Sequence, residues 1–180
     1  MDKKFFFQIV GLLIIIFGGT ILAFNQDLIP ALGNKTAFPS PAGNVQNVVQ
    51  LLDTSTQQVK SQVRVDIADT KEKRSLGLGG RASLAGDSGM LFIMDQKNKP
   101  TFWMKGMLIP LDFLWIDGDK VADIIQNVQP PVEGQSDQTL QFYSPLVPVD
   151  KVLEVNAGFV AHFGIKVGDT IRVVQAAPTQ

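Results

Sequence analysis

Two charged side chains, Lys105 and Asp112, lie inside TFWMKGMLIPLDFLWID (101–117), a stretch that is otherwise nearly all apolar. A third, Glu154, sits between Leu153 and Val155 in KVLEVNAG. An unpaired charge in such surroundings is either neutralised or costs several kcal/mol, so each predicts a partner. The bases at hand are Arg74, Arg81 and Lys105, and a guanidinium suits a shielded carboxylate best because its planar fork gives two parallel hydrogen bonds. The expectation is one ionic network joining Arg74, Arg81, Lys105, Asp112 and Glu154.

Two kinds of chemistry fit those residue types. Trp103, with Phe102, Met104 and Met107, lies beside Lys105 and Arg81 and could line a groove with an apolar floor and a few polar anchors. The alternative puts Trp103 and Met104 in the core, with Lys105 reaching out to water along its stem. For hydrolysis, Lys105 could act as base toward Ser75, Ser83 or Ser88, provided that it is desolvated. Asp112 and Glu154 could instead form an acid/base pair of glycosidase type. Nearby arginines would hold both acids ionised, which is poor for a general acid, so no catalytic residue is assigned and a binding module is favoured.

Composition narrows the field further. The chain has no cysteine, which excludes thiolate zinc sites, disulfides, cysteine nucleophiles and a lipid-bearing cysteine. Its single histidine, His162, lies near Phe159 and Phe163 and reads as a packed or rim residue rather than a metal ligand. The acidic turns DGD (117–119) and SDQ (136–138) lack the spacing of a calcium loop, and no cofactor is expected. Lys and Arg number 16 and Asp and Glu 17, a formal charge of −1, which argues against nucleic acid as a partner.

The elements that must position these residues follow a long apolar start. Lys3 and Lys4 precede a run from Phe5 to Phe24 broken only by Gln8 and Thr20. Those residues would span roughly 30 Å as a helix, about the thickness of a bilayer's hydrocarbon core. Residues 1–24 are read as an uncleaved transmembrane anchor with a cytoplasmic N-terminus, and cleavage of a signal peptide with secretion is the alternative. Residues 25–58, rich in Asn, Gln, Ser, Thr, Pro and Gly, read as a polar linker in which VVQLL (48–52) is at best a short strand. Residues 59–180 are then one domain on the outer side of a cell membrane.

Within that domain, VKSQVRVDIADT alternates as a half-buried strand. DTKE has capping-box spacing for a short helix from Asp69 that ends at Gly77. GMLFIMD (89–95) reads as a central strand, and Leu108 to Ile116 as another that is apolar on both faces. DGD turns into KVADIIQNV (120–128), KVLEVNAG follows as a fifth strand, AGFVAHFG as a helical turn or two, and VGDTIRVV as the last strand. The pattern predicts a mainly β domain with minor α: a compact barrel or sandwich with one or two short helices.

ADTKEKRSLGLGGR, GMLF, FWMKGMLIPLD, VLEVNAG and GIKVGD resemble the signature blocks of the domain-of-unknown-function family 192, also called uncharacterised protein family 0127. The resemblance spans about Val63 to Val174 and implies a compact β-rich domain, often secreted or anchored by one helix, with no established activity. Two positions depart from the family pattern: Gly79 stands where a methionine is usual, and Gly106 where an asparagine is usual. Together these features point to a membrane-anchored module that binds an extracellular ligand. A hydrolase, or a scaffold for a membrane protein partner, is the alternative.

Overall fold

Strand-forming alternation and a few glycine-marked turns account for most of the architecture. A computed structural model describes residues 46–176. Its elements are β1 (Gln46–Leu52), β2 (Val59–Ala68), α1 (Lys71–Leu76), β3 (Ser88–Asn98), β4 (Phe102–Trp103), β5 (Leu111–Asp117) and β6 (Lys120–Val128). A 3-10 turn (Asp137–Thr139), β7 (Phe142–Tyr143), β8 (Val149–Asn156), α2 (Phe159–Phe163) and β9 (Thr170–Ala176) follow. The expected anchor over 1–24 and the linker up to residue 45 lie outside the described residues. Among the described residues, no helix is long and apolar enough to cross a membrane.

Seven strands close into a barrel in the order β1-β2-β3-β8-β5-β6-β9, while β4 and β7 form a separate two-stranded sheet. Neighbours are antiparallel except β2 and β3, which are parallel and joined by a crossover that carries α1. All seven barrel strands contribute to one apolar interior, including Val49, Val63, Leu91, Leu114, Leu153, Val121 and Ile171. A second apolar layer covers the outer face of β3, β8 and β5, with Phe92, Phe113, Trp115 and Val152 packed against Leu78, Met104 and Met107 from the loops. β5 is therefore buried on both faces, as its unbroken apolar composition implies. Phe102 from β4 meets Trp115 edge-to-face at 5.3 Å and Phe92 at 5.0 Å, so the small sheet is fastened to this layer by aromatic contacts.

Several expectations change. The barrel begins at β1, not at Val59: Val48, Val49, Leu51 and Leu52 are buried, and the strand pairs with both β2 and β9. Its partner β9 lies more than a hundred residues away, so no local pattern marks it. The sandwich alternative gives way to closure. α1 is capped by Thr70, whose hydroxyl accepts from the Lys73 amide, one residue later than the DTKE spacing suggests; Gly77 stops it as expected. The strand expected from Leu108 starts at Leu111, because Gly106 (φ 69°) turns the chain and Pro110 cannot donate to a ladder. Gly89 on β3 meets a different demand: a Cβ there would lie 2.5 Å from the Glu154 carbonyl oxygen, so the close approach of β3 and β8 requires glycine.

Candidate functional site

Strand parity sends the two embedded acids to opposite sides of the sheet. Asp112 has Leu114 and Ile116 as same-face neighbours in the barrel interior, whereas Glu154 shares its face with Val152 in the outer layer. Both are buried, at 0% and 5% exposure. They cannot work together as a glycosidase pair.

Neither acid meets a base, and the expected ionic network is corrected. Asp112 Oδ1 accepts the Asn127 amide at 2.8 Å and Oδ2 accepts the Val160 amide at 2.9 Å. The β5–β6 register slips between Leu111 and Phe113, and Asn127 sits there with φ 55°, so one oxygen satisfies a bulged amide. The other satisfies an otherwise unpaired amide in the first turn of α2, whose Phe159 and Val160 pack into the interior. Two aimed backbone donors replace the guanidinium that sequence reasoning supplied.

The bases turn to surface acids instead. Arg74 donates to the carbonyls of Asp69 and Ile93 and pairs with Asp95 at 2.8 Å. Arg81 pairs with Asp66 at 2.8 Å, and Lys105 with Asp137 at 2.6 Å. Among the described residues, the most buried ionic cluster lies elsewhere, where Lys60 at the start of β2 meets two aspartates from loops that no apolar pattern marks. Lys60 bonds the fully buried Asp169 at 2.7 Å and reaches Asp53 at 3.3 Å. The Ser55 hydroxyl and the Thr56 and Ser55 amides hold the Asp53 carboxyl well below the usual carboxylate range, with help from Lys60. Burial works to lower the Lys60 ammonium, but bonds to Asp169 and Asp53 outweigh it and leave that group raised.

Glu154 is the acid left over. Its cross-strand neighbours are Met90 on β3 and Phe113 on β5, both apolar. Among the described residues, none hydrogen-bonds its carboxyl. Burial pushes that carboxyl up from 4.5 to about 8, so it holds its proton at neutral pH. The premise that arginines keep it ionised is therefore reversed.

Glu154 lines a small cleft with ≈ 60 Å³ of room. The C-terminal turn of α1 from Arg74 to Gly79 forms one wall, and Phe92, Trp103, Lys105 and Met107 form the rest. Four of the six predicted site residues thus converge on this cleft: Arg74, Trp103, Lys105 and Glu154. Arg81 and Asp112 do not. Gly79 leaves its part of the wall without a side chain. At Gly106 the departure from the family pattern costs no conformational freedom, since asparagine also tolerates positive φ.

Trp103 is a surface residue, not a core one: it is 45% exposed and stacks on Phe142 at 5.7 Å, with the Lys105 ammonium 5.3 Å from its ring centre. Met104 is buried, as the core alternative held. Lys105 bonds an aspartate rather than Ser75, Ser83 or Ser88 and stays half-exposed, so it lacks the desolvation that a lysine base needs. His162 is exposed, its ring edge-on to Phe163 at 4.6 Å. Sequence reasoning missed a second, roomier cleft of ≈ 200 Å³, walled by Gln129, Pro130, Pro131, Gln135, Gln141 and Tyr143. Its amides belong to loops with no apolar period to flag them. Among the described residues, no three His, Cys, Asp or Glu side chains gather as a metal site would require.

A closed seven-stranded barrel with an outer apolar layer and a one-acid cleft defines the structural class. The chain belongs to the DUF192 family, described as "Uncharacterized ACR", whose model matches residues 51–173. No curated protein matches it. A solved structure from Sinorhizobium meliloti 1021, described as "a putative transcription regulator", is 30% identical with a TM-score of 0.63, covering 73% of this chain and 95% of that one. A protein of unknown function from Novosphingobium aromaticivorans DSM 12444 is 31% identical with a TM-score of 0.60, covering 69% of this chain and 83% of that one.

Proposed function

We propose that this domain is a non-catalytic binding module, held on the outer face of a membrane by residues 1–24, that takes a small polar group of an envelope or extracellular ligand into the Glu154 cleft. The observation that carries this reading is Glu154 itself: a carboxyl on a residue only 5% exposed, with no protein hydrogen-bond partner among the described residues, set in the wall of an open cleft. A carboxyl that no protein group satisfies and that opens on a cleft is free to bond whatever enters it, and a ligand that supplies the missing bond is a physical reason for it to persist. The protonated acid is also the form a general acid needs. Among the described residues, however, Glu154 is the one carboxyl lining the cleft, and the cations beside it, Arg74 and Lys105, are ion-paired to Asp95 and Asp137 rather than free to take a proton, which favours binding over hydrolysis.

The test is a ligand-detected NMR screen of the full chain in detergent micelles against short glycans, peptides and small organic acids and amines. Trp103→Ala removes one wall of the cleft from a half-exposed position, so the variant is expected to stay folded and to bind its best fragment at least tenfold more weakly. Equal binding by the variant, or turnover of any fragment that Glu154→Gln abolishes, would refute the reading.

A further inference from the structure

The room beside Glu154 is about that of two water molecules, so the cleft holds the end of a ligand and not its body. The charged residues lining it are Glu154, Arg74 and Lys105. Arg74 is fixed by two carbonyls and Asp95. Lys105 is held differently. Apart from the Trp103 ring, its partner is Asp137, in an ion pair with side chains 49% and 57% exposed. Exposed pairs of this kind contribute little and exchange readily. A carboxylate already sits on the Lys105 ammonium at 2.6 Å, supplied by the 3-10 turn at Asp137–Thr139.

We infer that the cleft takes the carboxylate end of its ligand, clamped between the Glu154 carboxyl and the Lys105 ammonium, with the ligand displacing Asp137 from Lys105. This rests on the cleft being the binding site. The chemistry is balanced without any outside reagent: Glu154 brings its own proton and donates it as a hydrogen bond to the incoming anion, and Lys105 supplies the countercharge. A carboxyl-to-carboxylate bond with a charged acceptor is among the stronger hydrogen bonds. An ammonium ligand would instead have to displace the Glu154 proton and enter beside Arg74 and Lys105. The charged groups that face the cleft with Glu154 are Arg74 from α1 and Lys105 from the loop after β4, with Asp95 and Asp137 paired to them; its neighbours on β3 and β5, Met90 and Phe113, do not titrate, and burial is what raises Glu154.

The chain has only three glutamates, Glu72, Glu133 and Glu154, so carbon-13 labelling of the glutamate carboxyl carbons gives three signals. Glu154 is assigned by its loss in Glu154→Gln. The full chain in micelles is titrated from acid to alkaline pH in sodium chloride, in sodium acetate and in methylammonium chloride at matched ionic strength. Acetate at ten times its dissociation constant is expected to raise the Glu154 midpoint by about one pH unit, because it binds the protonated form. Lys105→Met should keep the raised midpoint in chloride and lose the acetate shift. Acetyl-alanyl-alanine separates two sources of the carboxylate: half the shift at a lower concentration than acetate assigns it to a peptide end, and equal potency to a free acid. A midpoint moved only by methylammonium overturns the carboxylate and leaves the binding cleft standing. A midpoint that no probe moves overturns the carboxylate, and the cleft itself then stands or falls with the fragment screen. An acetate shift that survives in Lys105→Met overturns the clamp.

Discussion

Glu154→Gln should gain stability relative to the wild type as pH rises from 4 to 9, because it removes a group whose ionisation the folded chain resists. In the folded chain burial holds this carboxyl at about 8, against 4.5 in the open chain. Below about pH 4.5 both states carry the proton, and the group exerts no penalty. As pH rises, the unfolded chain ionises first while the folded chain cannot follow, so wild-type stability falls and levels off only above about pH 8. The full span corresponds to about 5 kcal/mol, and about 3 kcal/mol of it is already lost at pH 7. Glutamine has nearly the same shape and does not titrate. Any fixed cost of burying its amide shifts the variant equally at every pH. The difference between the two proteins therefore isolates this one group from all other acids. Urea unfolding of both proteins at pH 4, 7 and 9 gives that difference. It should move in favour of the variant by about 3 kcal/mol between pH 4 and 7, and change little beyond pH 9. A difference that is the same at pH 4 and pH 9 would refute the claim that burial keeps Glu154 protonated.

Other substitutions separate the packing roles from the proposed binding role. Asp112→Asn turns an acceptor of two backbone amides into a group that presents N–H₂ to one of them, and should cost about 2 kcal/mol in urea unfolding; an unchanged midpoint would show that the two amides find other partners. Gly89→Ala forces a methyl to within 2.5 Å of the Glu154 carbonyl and should cost at least about 3 kcal/mol by splaying β3 from β8. Wild-type thermal stability in that variant would contradict the register described. Arg81→Ala removes only an exposed ion pair with Asp66 and should change stability by less than about 1 kcal/mol, with no effect on fragment binding; a larger loss would revive a structural network around Arg81.

Much of the barrel was legible because burial imposes a period. Val63 and Val65 against Arg64 and Asp66 announce β2, Asp117-Gly118-Asp119 announces the β5–β6 hairpin, and the two apolar faces of β5 announce a strand enclosed on both sides. β1 was legible only as a short strand within a linker, because VVQLL is brief and its neighbours are polar; pairing with β2 and β9 is what builds it into the barrel. The burial of Asp112 and Glu154 could be read from their neighbours, but their partners could not. For Asp112 the partners are amides exposed by a bulge and a helix start, and backbone geometry of that kind leaves no side-chain signature. For Glu154, counting available bases predicted an ion pair, yet Arg74 and Lys105 reach the same cleft and turn to the exposed Asp95 and Asp137. Charge complementarity in a sequence says that partners exist, not which way each side chain points.

The two tryptophans divide the labour of observation between them. Trp115 has no exposure and its indole nitrogen has no partner among the described residues, so it should emit at short wavelength and escape iodide quenching until the barrel opens. Trp103, exposed at the mouth of the cleft and sharing its ring with Lys105 and Phe142, should emit further to the red and dim in iodide. One fluorescence spectrum therefore carries two signals, one for the integrity of the barrel and one for what arrives at its side.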